Sequence, residues 1–299
     1  MRDRDSIKKS FAGAASTYDS SDSVQRETAE RLVDCVGVII GQGSPEYSAH
    51  EMDSPVLRAR VNGLRPVHES PLVLDAGCGT GSLASRLKGR WPALQVIGCD
   101  IALPMLERMR ARLPCPATPT VAADCASLPF SGASFDMVVS NLALQWVDIR
   151  DAFAEASRVL KPGGLLVFST LGPETLREFR ECCAESAKAV VEFPMGFRST
   201  DELYNTLEET GFEPLSVEPL GVFKRYEDII DIVKTLKNIG AAPPMQGAVG
   251  LGGGAMLRRA GRIYAKRYPA PDGDGVIATY ETIFVAARKI QARGSDKTI

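Results

Sequence analysis

The chain has 299 residues, 44% apolar and 24% charged, with a formal net charge of −2. Such a length buries a full core without covalent staples, and the near-neutral charge gives no general attraction to nucleic acid or anionic membrane. Seven cysteines with no CxxC pair argue against a disulfide framework and against a zinc site, and fit a reducing cytoplasm.

The first nine residues mix both charge signs and lack an apolar stretch, so neither a signal nor a transit peptide is expected. No uncharged apolar run approaches membrane-spanning length. Residues 6–40 read as helical, with Val24, Ala29, Leu32, Val33 and Val36 at helical spacing. From 41 to 71 Gly, Pro and Ser break the pattern, predicting a surface excursion with a short helix near Val56–Val61. Residues 1–70 are thus expected to be a helical segment plus excursion, ahead of a main domain over 71–299.

Regular alternation follows. Strands are predicted at 72–75, 95–100, 118–123, 135–141 and 165–170, the last entered through Gly163-Gly164. Helices are predicted between them at 82–90, 101–113 and 149–160. Strands that are nearly continuous apolar runs, alternating with helices, predict a Rossmann-like α/β fold: a mostly parallel sheet covered on both faces. Further on, helices are expected at 174–189 and 200–210 and strands at 212–220 and 279–286. Between these two strands, at about 221–275, lie helical patterns at 226–239 and 256–268 and a glycine-rich hinge at 247–254. Two strands that a hairpin would join have no need of such an insertion, and a lid over substrate is the reading adopted.

The chemistry concentrates at the strand ends. The loop Asp75-Ala-Gly-Cys-Gly-Thr-Gly81 follows the first strand and opens a helix, as in sites where backbone approaches a ligand closely. Its GxGxG spacing, with an acidic residue at its start, differs from the dinucleotide GxGxxG pattern. Asp100 closes the second strand, where a carboxylate accepts both ribose hydroxyls, and Asp124 the third, within reach of an adenine amino group. Each aspartate alone is equally well a strand-end or capping residue. Together and in order they fit an adenosine ligand without a pyrophosphate.

These residues, with Leu160-Lys-Pro-Gly-Gly164, resemble the class I S-adenosylmethionine-dependent methyltransferases over roughly residues 72–170. The resemblance implies a seven-stranded sheet and S-adenosyl-L-methionine as cofactor. It puts Asp75, Gly77, Cys78, Gly79, Gly81, Asp100, Ile101, Asp124, Cys125 and Asn141 around that cofactor, and no metal.

A narrower similarity is to the malonyl-acyl-carrier-protein O-methyltransferases of biotin synthesis. It is carried by Phe11-Ala-Gly-Ala-Ala-Ser-Thr-Tyr18-Asp19, Ser140-Asn-Leu-Ala-Leu-Gln145-Trp146 and Phe168-Ser-Thr-Leu171 with Thr175-Leu-Arg-Glu178. Thr235-Leu-Lys-Asn-Ile-Gly-Ala241 and Thr279-Tyr280-Glu281 extend it. Phe197-Arg198-Ser199 departs from that family's pattern, and the 41–71 excursion is longer than expected for it. The similarity implies methylation of the free carboxylate of malonyl-acyl-carrier protein. A carboxylate is already ionised at neutral pH, so no general base is needed. The only histidines, His50 and His68, lie in the excursion and read as solvated. Tyr18, Gln145 and Trp146 are the acceptor-pocket candidates; an Arg, a Tyr hydroxyl and backbone N–H groups would suffice to hold the carboxylate.

The lid gives separate support. Residues 220–270 carry nine Lys/Arg against three acids, a local charge of +6. Lys234, Lys237, Arg258, Arg259 and Arg262 are therefore candidates to dock an acidic carrier protein; two solvated helix faces are the competing reading. Other acceptors (a small carboxylic acid, a quinone-type compound, a protein side chain) and a methyltransferase-like assembly protein remain open on sequence alone.

Overall fold

The computed structural model describes residues 3–40, 71–113, 118–187, 193–242 and 253–291. The expected helix at 56–61, both histidines and most of the 247–254 hinge lie outside them.

Three helices open the chain: α1 (Arg4–Ala14), α2 (Tyr18–Ser21) and α3 (Ser23–Ile39). One continuous pattern was expected here, but the chain breaks at Thr17, whose hydroxyl bonds Ala14 O and, at 3.0 Å, Asn238 O. There follow β1 (Leu72–Ala76), α4 (Ser82–Arg90), β2 (Gln95–Asp100), α5 (Leu103–Arg112), β3 (Thr120–Ala122) and β4 (Phe135–Asn141). A 3-10 turn at Leu144–Trp146 leads to α6 (Ile149–Val159), β5 (Leu160–Leu171), α7 (Arg177–Ala187) and α8 (Thr200–Glu209). Last come β6 (Phe212–Tyr226), α9 (Ile229–Asn238), α10 (Gly253–Arg267) and β7 (Val276–Lys289).

The seven strands run β3-β2-β1-β4-β5-β7-β6, parallel except β7, which is antiparallel to both its neighbours. Alternate strand residues face opposite layers. Val73, Val139 and Val167 join the cluster containing α3, α4 and α5 residues, whereas Leu74, Val138 and Phe168 join that of α6 and α8. A third cluster joins α7, α9 and α10 to the outer ends of β6 and β7.

β6 and β7 are longer than the apolar patterns suggested. Pro214, Pro219 and Gly221 interrupt β6, yet it is the edge strand, where a missing N–H costs little. β5 likewise starts at Leu160, before the glycines, because a register shift against β4 absorbs the extra residues. Cys182 and Cys183 are fully buried on α7 and act as small apolar residues.

Candidate functional site

The carboxyl ends of β1, β2 and β4 open into a cavity of about 180 Å³. Gly77, a residue past β1, has φ +71°, and a Cβ there would stand 2.3 Å from that of Ala143. Only glycine lets the loop close on the 142–143 turn. Gly79 also lines the cavity; its N–H donates to Asp100 Oδ2 at 2.9 Å, and the Ala102 N–H donates to Oδ1 at 2.8 Å. A carboxylate has roughly four acceptor positions, so two remain for a ligand. Burial pushes the Asp100 carboxyl up, while the Ala102 and Gly79 N–H groups favour its ionised form.

Ile101, Asp124, Cys125 and Asn141 line the same cavity. Asn141 is locked: its amide donates to Gln25 O and accepts from the Ser169 hydroxyl, at 2.9 and 2.8 Å. Asp75, Cys78 and Gly81 lie behind the lining. Asp75 is 1% exposed and its oxygens lie near the Ala84 N–H without a well-formed hydrogen bond; burial pushes its pKa up to about 7. Cys78 is buried beside Gly98, and Gly81 has φ +81° where a Cβ would meet Met109 at 2.6 Å. These two residues shape the packing under the loop.

One wall was missed from sequence. Arg4, Ile7 and Phe11 line the cavity from α1, and their spacing puts them on a single helix face. Arg4 Nε lies 2.9 Å from Asp124 Oδ2, across the cavity mouth. Asp19 fastens the same N-terminal segment to the glycine loop, accepting from the Thr80 hydroxyl at 2.6 Å and pairing with Arg112 at 3.0 Å. Asp148 and Asp151 also line the cavity, so four carboxylates face one arginine. That balance suits a ligand carrying a sulfonium and an ammonium, and disfavours a pyrophosphate. The donors and charge therefore fit S-adenosylmethionine.

A second cavity, of about 40 Å³, adjoins the first. Phe11, Tyr18, Leu142 and Trp146 line both. Phe11 and Trp146 meet edge to face at 5.0 Å. Burial, with the charges of Asp22, Asp100 and Asp19, pushes the Tyr18 phenol far up, so it is a hydrogen-bond donor and not a base. Gln145 lines the second cavity, but its amide donates to Leu142 O at 2.8 Å and accepts from Thr170, so its side chain holds the turn after β4. No charged side chain, and so no arginine to hold the acceptor, is among the described residues lining this cavity. Leu142 and Leu176, both lining it, have φ of +49° and +53°. Such strain in non-glycine residues gathers at functional sites.

The region before β7 is less basic than its composition implied. Lys224 pairs with Glu27, Arg225 with Asp272 and Asp274, and Arg267 with Glu185. Arg259 donates to Ser186 O at 3.4 Å. Lys234, Lys237, Arg258 and Arg262 are exposed and in no ion pair among the described residues. None of the described helices is long and apolar enough to cross a membrane.

Comparison with known proteins agrees with this geometry. Residues 74–168 match the methyltransferase domain family. The crystal structure of a methyltransferase candidate from Bacillus halodurans has the same fold, with TM-score 0.55 and 20% identity, covering 79% of this chain and 99% of that one. The malonyl-[acyl-carrier protein] O-methyltransferase of Methylovorus sp. is 34% identical, over 97% of this chain and 90% of its own length. That of Laribacter hongkongensis is 33% identical, over 97% and 91%. With a glycine loop, strand-end acids and full-length similarity in agreement, the chain belongs to the malonyl-[acyl-carrier protein] O-methyltransferase family of S-adenosylmethionine-dependent enzymes.

Proposed function

We propose that this enzyme methylates the free carboxylate of malonyl-acyl-carrier protein, giving the methyl ester that primes pimeloyl and hence biotin synthesis. The observation that carries the reading is the shared wall: an acidic cofactor cavity and an acceptor cavity with no charged side chain among its described lining residues meet at Phe11, Tyr18, Leu142 and Trp146.

S-Adenosylmethionine, when bound, supplies an electrophilic methyl on a cationic sulfur. Asp100 would hold its ribose and Asp124 its adenine end, with Arg4 giving up part of its contact; Gly77 and Gly79 present backbone to the methionine part. On the acceptor side, Trp146 and Phe11 exclude water and Tyr18 donates to a carboxylate oxygen without neutralising it. An uncharged pocket strips the anion of solvent while leaving it nucleophilic, which an arginine would oppose. In-line displacement then needs alignment and no proton acceptor.

Lys234, Lys237, Arg258, Arg259 and Arg262 are proposed as the docking surface for the acidic carrier protein, with α9 and α10 acting as a lid. Leu236 of α9 and Ile239, the residue just past it, line the acceptor cavity, which supports that role. An acceptor panel tests the reading: malonyl-carrier protein should outperform malonyl-coenzyme A, and free malonate should be inert. Equal turnover of free malonate would overturn it.

A further inference from the structure

Among the groups lining the acceptor cavity, Tyr226 and Tyr280 stand apart. They come from the adjacent strands β6 and β7, and their hydroxyl oxygens lie 2.8 Å apart. Both are at least nine-tenths buried, at 8% and 4% exposure. Two hydroxyls carry two protons, and one bond between them uses one. No other partner takes the second among the described residues. An unspent buried donor is costly, and phenylalanine would fill the same space without that cost.

The pair is also rigidly seated. The Thr279 N–H and hydroxyl both donate to the buried carboxylate of Glu178, and the Leu176 N–H donates to Thr279 O at 2.7 Å. The Tyr264 hydroxyl donates to Ile277 O at 2.9 Å. Neither Tyr226 nor Tyr280 lines the cofactor cavity, so the pair faces the part of the acceptor remote from the transferred methyl.

We propose that the Tyr226–Tyr280 pair recognises the thioester carbonyl: one hydroxyl donates to the other, and the remaining proton is donated to the carbonyl oxygen of the acyl thioester. This rests on the carrier-protein reading above. Burial raises both phenols, so the pair stays protonated at neutral pH. A donor polarised by its neighbour is also the stronger one. The pair thus distinguishes a β-carboxy thioester from a plain carboxylic acid of similar length.

The test compares two acceptors on the same carrier protein: the malonyl thioester, and a carboxyethyl thioether that keeps the carboxylate but lacks the carbonyl. The parent enzyme should favour the thioester. The double variant Tyr226→Phe/Tyr280→Phe should lose about tenfold in kcat/KM on the thioester and stay within about twofold on the thioether. Each single variant should lose less, because the surviving hydroxyl still donates. Equal loss on both acceptors, or loss on neither, overturns the proposal. S-Adenosylhomocysteine affinity checks that each variant is folded, and the single variants serve if the double one is not. A parent enzyme inactive on malonyl-carrier protein would instead overturn the functional reading itself, and this inference with it.

Discussion

Replacing Asp100 by Asn keeps the shape of the side chain and changes one acceptor oxygen into a donor. Both oxygens already take a backbone N–H, from Gly79 at 2.9 Å and Ala102 at 2.8 Å. Whichever way the amide turns, one of those bonds is lost, together with at least one acceptor position for a ribose hydroxyl. Hydrogen bonds to a charged group contribute about 1.5–3 kcal/mol each, so the ligand bond alone predicts a roughly 10- to 100-fold loss of affinity. The backbone N–H left without its acceptor, of Gly79 or of Ala102, should cost a further ~1 kcal/mol of stability. Calorimetric titration with S-adenosylhomocysteine measures the first effect, and thermal unfolding of the free protein the second. A folded variant that binds S-adenosylhomocysteine as tightly as the parent would refute the ribose assignment.

Three further outcomes are expected. Asp75, its pKa pushed up to about 7 by burial, keeps a proton in the folded chain that the unfolded chain gives up near the ordinary value of 3.8. Its contribution to stability is therefore complete below about pH 4 and shrinks as pH rises toward 7, by up to about 4 kcal/mol. Unfolding of Asp75→Asn against the parent should show the variant gaining relative stability from pH 5 to 8; a pH-independent difference would count against this. Reversing Arg258 and Arg262 to Glu should raise KM for malonyl-carrier protein several-fold, an effect that fades with salt, and leave malonyl-coenzyme A turnover alone. An unchanged KM would remove α10 from the docking surface. Asp19→Ala should cost roughly 1–2 kcal/mol, since the Thr80 hydroxyl loses its acceptor and Arg112, which keeps its bond to Thr80, loses its ion pair, and should weaken cofactor binding; an undisturbed unfolding curve would contradict that link.

The parallel half of the fold was legible because its strands are buried on both faces and their apolar runs end in Asp75, Asp100 and Asn141. The glycine loop and strand-end acids needed only chain order. The antiparallel half was harder: β6 is an edge strand whose prolines, glycine and exposed Phe223 hide its length. Arg4 and Ile7 went unnoticed although they share a helix face with Phe11, since only packing reveals that this face covers a cavity. Gln145 does line the acceptor cavity, but the bonds its amide makes, to Leu142 and from Thr170, hold the turn after β4, a tie that sequence does not show. The Tyr226–Tyr280 pair joins residues 54 apart in sequence and has no local signal.

The central claim is a methyl group delivered to one carboxylate on one carrier protein. Malonyl-acyl-carrier protein incubated with the enzyme and methyl-labelled S-adenosylmethionine should gain one methyl per acyl group, seen by intact-protein mass spectrometry, and release the label as methanol under mild base. Unmodified malonyl-carrier protein at saturating enzyme, or label that resists base, would contradict it.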